Sequence, residues 1–182
     1  LLGNGQDSFR WDPGDGSDVV EGENGTDTLH FNGAGVDELM SLSPNGERSL
    51  FLRDVANIRM DMNGVERLDL TALGGADTVT VNDMSGTDFR RADVDLSAPT
   101  GAADGVADIV TVTGTEQADN IHVRDAGARV AVDGLRTETV VAGGEPIDRI
   151  QVNALGGDDK VTVAPAVSAL IGVGVELGSG QK

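Results

Sequence analysis

Short runs in which apolar and polar residues alternate recur along most of the chain, and helical periodicity is essentially missing. Thr78-Val79-Thr80-Val81 shows the pattern in its simplest form: the valines face one side of an extended segment and the threonines the other. The alternation predicts strands at 27–31, 38–43, 49–53, 57–62, 66–71, 78–82 and 92–96. A second series follows at 109–113, 120–124, 129–133, 138–142, 149–153, 160–164 and 172–177. Only 36–43 invites a helical reading, and it is short.

The two series are copies of one another. Residues 65–81 (VERLDLTALGGADTVTV) and 147–163 (IDRIQVNALGGDDKVTV) are identical at nine of seventeen positions, at an offset of 82. Residues 27–31 align with 108–112, and 94–96 with 175–177, at an offset of 81. A unit of about 81 residues therefore occurs twice after residue 27, the signature of a stacked array. One strand every 11 or 12 residues leaves open a two-faced coil of about 23 residues and a three-faced coil of about 35. The fold class expected is all-β, a parallel β-solenoid of the β-roll or β-helix type. Hairpin turn dipeptides look scarce, with Asp133-Gly134 as the exception. An antiparallel β-sandwich is the alternative, because short, evenly spaced strands suit it too.

The first 40 residues have a different texture. Gly3-Asn4-Gly5-Gln6-Asp7, Gly14-Asp15-Gly16-Ser17-Asp18 and Glu23-Asn24-Gly25-Thr26-Asp27 follow one another, with a weaker Gly33-Ala34-Gly35-Val36-Asp37 behind them. Each ends in Asp, one further residue and an apolar one: Phe9, Val20, Leu29 and Leu39. Glycine permits the tight left-handed turns, Asp supplies a hard anionic oxygen, and the apolar residue faces a core. Loops two apart would stack, placing Asp7 over Asp27 and Asp18 over Asp37. These residues resemble the RTX, or haemolysin-type calcium-binding, repeat, with Leu2 and Glu23 standing where that pattern has glycine. The resemblance implies an N-terminal β-roll over residues 1–40, ahead of a duplicated solenoid region over 41–182. It also implies calcium held by Asp7, Asp15, Asp18, Asn24, Asp27 and Asp37, with the turns of Gly3, Gly5, Gly14, Gly16 and Gly25, and export from a Gram-negative bacterium by a type I system.

The Asp-x-apolar arrangement recurs at Asp77/Val79, Asp108/Val110, Asp119/Ile121, Asp148/Ile150 and Asp159/Val161, without the full glycine turn. These read as degenerate loops whose aspartates accept backbone amides of their own turns. Asp158/Asp159 is the best placed of them for a metal.

Composition narrows the function. Acidic residues number 31 against 13 basic ones, a formal charge of −18, which opposes binding to nucleic acid or anionic membranes. There is no cysteine, so metal rather than disulfide is the available staple. No apolar run approaches the roughly 20 residues of a membrane helix. The chain opens inside the repeat pattern and closes on a further glycine loop, as a piece of a longer polypeptide would. His30 and His122 sit at solvent-facing parity, and no cysteine or histidine cluster completes a zinc site. No nucleophile-elbow motif appears, paired carboxylates carry no signal among so many acids, and aromatics at 3% offer no sugar platform. The expectation is a non-catalytic, calcium-binding scaffold of an extracellular bacterial protein, with glycan or a cell surface as a possible partner. The alternatives are the accessory region of a secreted enzyme and a polysaccharide-binding or -cleaving β-helix.

Overall fold

The structure, a computed structural model, describes residues 1–180. It is all-β. The strands are β1 (Ser8–Trp11), β2 (Asp18–Glu21), β3 (Thr28–Asn32), β4 (Leu39–Asn45), β5 (Arg48–Arg53), β6 (Ile58–Asn63), β7 (Arg67–Thr71) and β8 (Thr78–Val81). They continue as β9 (Arg91–Asp95), β10 (Ile109–Thr113), β11 (Asn120–Asp125), β12 (Arg129–Asp133), β13 (Glu138–Ala142), β14 (Arg149–Asn153), β15 (Lys160–Val163) and β16 (Gly172–Glu176). Every strand expected from the alternation is present, with ends shifted by at most two residues. Two short 3-10 turns, Val55–Asn57 and Pro165–Ala169, complete the described elements.

The strands form two eight-stranded mixed sheets, ordered β1-β3-β7-β9-β13-β12-β11-β15 and β2-β6-β5-β4-β8-β10-β14-β16. Ten of the pairings are parallel and link strands distant in sequence. Four are antiparallel and lie within two three-stranded meanders, β4-β5-β6 and β11-β12-β13. Outside the meanders, consecutive strands alternate between the two sheets.

The meanders correct the expectation that hairpins are scarce. Asp133-Gly134 does open the turn into the β12–β13 hairpin, but β4 and β5 also pair, closing at Asn45↔Arg48 across Gly46-Glu47. Gly46 has φ +68°, the positive value that a two-residue hairpin turn needs at its first position. Gly at the first central position of this turn is itself the sequence signal of a two-residue hairpin.

The duplication appears directly in three dimensions: β3–β9 and β10–β16 are equivalent seven-strand units. Even their unusual backbone is repeated. Leu73 and Leu155 both have positive φ, 77° and 68°, as do Gly75 and Gly157 at 109° and 116°. Each unit visits the sheets five times: one strand, the meander, then three single strands. Because five is odd, the second unit starts on the opposite sheet, and equivalent strands such as β7 and β14 lie in different sheets.

Inward side chains of both sheets form one continuous core. Near β1 it is aromatic: Trp11 stacks on Phe31 at 4.2 Å, and Phe31 meets Phe51 edge-on at 4.7 Å. Arg53 lies over Trp11 at 5.4 Å and pairs with Glu38, both side chains being buried. Toward β16 the core is almost purely aliphatic, with Val110, Val112, Ile121, Ile150 and Val152 fully enclosed.

Candidate metal site

Two glycine turns, residues 3–7 and 23–27, lie side by side because β1 pairs in parallel with β3. Gly5 and Gly25 form a bridge; the Gly5 amide donates to the Asn24 carbonyl at 2.8 Å, and the Thr26 amide donates to the Gly5 carbonyl at 3.2 Å. A Cβ at Gly25 would fall 1.5 Å from the Gly5 carbonyl oxygen, and φ there is +152°, so only glycine fits this contact. The Asn24 side-chain amide donates to Asn4 Oδ1 at 2.9 Å, tying the turn tips together.

At the base of this stack the Asp7 amide donates to Asp27 Oδ1 at 2.8 Å. Asp27 is fully buried, and its own amide donates to Glu66 Oε2 at 2.7 Å on the next strand. Asp7 Oδ2 and Asp27 Oδ2 are buried with no hydrogen-bond partner. Two orphaned carboxylate oxygens in adjacent turns fit a hard cation, because a buried acceptor left unpaired is unfavourable. Burial pushes the Glu66 carboxyl above its ordinary pKa, with the charges of Asp27 and Asp88 acting the same way against the Asp27 amide that it accepts.

The structure thus brings together Gly3, Gly5, Asp7, Asn24, Gly25 and Asp27, but not the remaining predicted residues. Gly14, Asp15, Gly16 and Asp18 lead into β2, on the other sheet. Asp15 accepts the Asp12 amide at 2.8 Å, and the Gly16 carbonyl accepts from Trp11 Nε1 at 2.6 Å. The expected stacking of Asp18 over Asp37 does not occur. The β4-β5-β6 meander intervenes, so Asp18 pairs with Met60, while Asp37 accepts the Ala76 amide at 2.8 Å. Asp37 is also one residue out of register: Leu39 is 59% exposed, whereas Met40 is buried. Glu38 therefore takes the position that Asp27 takes in the other sheet.

Glu38 heads a carboxylate ladder along the second sheet. Its amide donates to Asp77 Oδ1 at 2.9 Å, that of Asp77 to Asp108 Oδ1 at 2.8 Å, and that of Asp108 to Asp148 Oδ1 at 3.0 Å. A shorter rung joins the Asp119 amide to Asp159 Oδ1 at 2.9 Å. Asp-x-apolar located these residues in the sequence, but the main acceptor bonds cross to the neighbouring strand rather than closing the residue's own turn. Asp148 does both, since its second oxygen accepts the Glu145 amide at 2.7 Å, whereas the Asp119 carboxylate accepts within its own turn as expected, from the Thr115 amide at 2.7 Å and the Thr115 hydroxyl at 3.1 Å. Glu38-x-Met40 and Glu66-x-Leu68 carry the same signal, with Glu in place of Asp.

The ladder is proton-loving. Burial, reinforced by the Asp108 charge, pushes Asp77 up to about 8. Burial likewise raises Asp108 to about 7, against the Asp77 amide that it accepts, and raises Asp148 for the same reason. Asp77 Oδ2 is a further buried oxygen without a partner. Among the described residues, no three His, Cys, Asp or Glu side chains converge on one point, so a cation in the 3–7/23–27 stack would draw the rest of its shell from turn carbonyls and water.

No protein-family model matches the chain, and neither the curated proteins nor the solved structures contain a match.

Proposed function

We propose that this chain is a calcium-binding, non-catalytic scaffold region of a secreted or cell-surface bacterial protein, coiled as a two-faced parallel solenoid with a meander inserted in each unit. The observation that carries the calcium reading is the pair of buried, unpartnered oxygens, Asp7 Oδ2 and Asp27 Oδ2, in stacked glycine turns. Calcium takes oxygen ligands in flexible geometry and would supply the positive charge that these carboxylates lack. The coil reading is supported by the alternation of successive strands between sheets and by parallel pairing between equivalent turns. The extracellular setting follows from the resemblance of residues 1–40 to RTX loops. With a formal charge of −18, the chain gains stability from any cation that binds only its folded form.

Calorimetric melting in EDTA, then calcium, then magnesium tests the proposal. A rise in Tm with calcium that magnesium does not reproduce is the expected outcome. Equal melting in all three conditions would remove calcium from the function.

A further inference from the structure

The joint between the two seven-strand units is visible in the chain. The last two strands of the first unit, β8 and β9, pair in parallel with β10 and β13 of the second. Beneath those neighbours the inward side chains Val79, Val81, Ala92 and Val94 are at most 2% exposed. On the other side of the first unit, β1 and β2 occupy against β3 and β6 the places that β8 and β9 occupy against β10 and β13. The same joint is therefore built twice.

A third instance is half made. β15 and β16 are the equivalents of β8 and β9 and keep the same inward residues: Val161 and Val163 for Val79 and Val81, Val173 and Val175 for Ala92 and Val94. Among the described residues each strand has one neighbour, β11 and β14 respectively. Val163 is 39% and Val175 40% exposed, and Val161 and Val173 are half-buried. A recess of about 410 Å³ opens beside them, lined by Pro146, Val163, Pro165, Ser168, Ile171 and Val173. At the opposite end of the molecule, Trp11 on β1 is fully buried.

We propose that the face formed by β15 and β16 is a docking surface for another seven-strand unit of this kind, which adds its first strand in parallel to β15 and the last strand of its meander in parallel to β16. The inference extends the joint already present between the two units and does not depend on calcium. The existing joint sets the register. Thr78 lies opposite Ile109 and Arg91 opposite Glu138, so Lys160 and Gly172 meet the equivalents of Ile109 and Glu138. Because successive units exchange sheets, the incoming unit lies in the orientation of the first. The docked strands also cover two open sheet edges that otherwise invite indiscriminate pairing.

Two lengthened proteins test the proposal. One carries a second copy of residues 96–176 after Glu176, which preserves the phase of the repeat. The other carries residues 28–95 behind the same 96–108 connection, so that poor folding of one added sequence does not decide the result. Hydrogen exchange is followed at the amides of β15 and β16. At least about tenfold slower exchange than in the original chain, with one cooperative melting transition, is expected. Val163→Lys should leave the original chain's Tm nearly unchanged and abolish that protection in the lengthened proteins. Unaltered exchange at β15 and β16 in both lengthened proteins overturns the proposal. So does sedimentation showing that the original chain protects these strands by pairing with itself.

Discussion

Asp7 donates its backbone amide to Asp27 across adjacent turns, and the second oxygen of each carboxylate is buried without a partner. That arrangement separates two ways of satisfying the site. Asp27→Asn keeps an oxygen to accept the Asp7 amide but removes the charge. With a cation present in the native state, the substitution should abolish most of the calcium-dependent rise in Tm and lower stability by about 1–3 kcal/mol in saturating calcium. In EDTA the same variant should be no less stable than the parent, because it no longer buries an unpaired charge. Paired melts in calcium and EDTA measure both effects.

The glycine contact gives an independent handle on the same turns. Gly25→Ala places a methyl group against the Gly5 carbonyl at a backbone angle that alanine avoids. It should cost about 1–3 kcal/mol from backbone strain alone and separate the turns, removing the calcium response. Gly16→Ala is the control. Its φ is +85°, but nothing lies within 4 Å of the added Cβ, so it should cost about 1–2 kcal/mol and retain the response. Urea titrations with and without calcium distinguish the pair.

The carboxylate ladder predicts a stability that falls as pH rises. Asp77 and Asp108 have folded-state pKa values raised to about 8 and about 7, against roughly 4 in an unfolded chain. A raised value means that the folded state holds the proton more tightly. The contribution is then complete below the unfolded pKa and is lost as pH climbs through 7 to 8. Glu38, Asp104 and Asp108 face Asp77, and Asp104, Glu145 and Asp148 face Asp108; their negative charges act in the same direction as burial. In EDTA, the ladder should make Tm decline from about pH 4 and level off above about pH 8. Asp77→Asn should flatten the decline, most visibly at its alkaline end.

Much of this architecture was legible in the chain, because strand parity survives wherever one face is buried. Val79/Val81 and Val161/Val163 announce their strands and their equivalence without any structure. The direction of a neighbouring strand leaves no such mark in side-chain parity: β5 and β12 alternate like their neighbours yet run antiparallel to them, and only short turns such as Gly46-Glu47 carry the difference. The same limit explains the stacking of the turn aspartates. Asp7 and Asp27 stack as expected because nothing is inserted between β1 and β3 in their sheet. Asp18 and Asp37 do not, because the meander takes up the intervening places in the other. The ladder's cross-strand bonds were hidden for a further reason: a carboxylate that accepts from its own turn and one that accepts from the next strand occupy the same sequence position.

The buried Glu38–Arg53 pair yields the last expectation. Both side chains are almost fully enclosed, and each has a second attachment: Glu38 Oε2 accepts the Ala34 amide at 2.8 Å, and Arg53 lies over the Trp11 ring. Removing one partner leaves the other charged in a low-dielectric interior, an effect of about 3–5 kcal/mol in comparable pairs. Arg53→Met should therefore destabilise the protein by about that amount, although methionine fills similar space. Adding Glu38→Gln should recover part of the loss, because glutamine can still accept the Ala34 amide while the uncompensated charge disappears. The sign of this recovery decides the matter. If the double variant is less stable than Arg53→Met alone, the uncompensated Glu38 charge is not what destabilises the single variant. A four-member double-mutant cycle by urea denaturation at pH 7 resolves the two contributions.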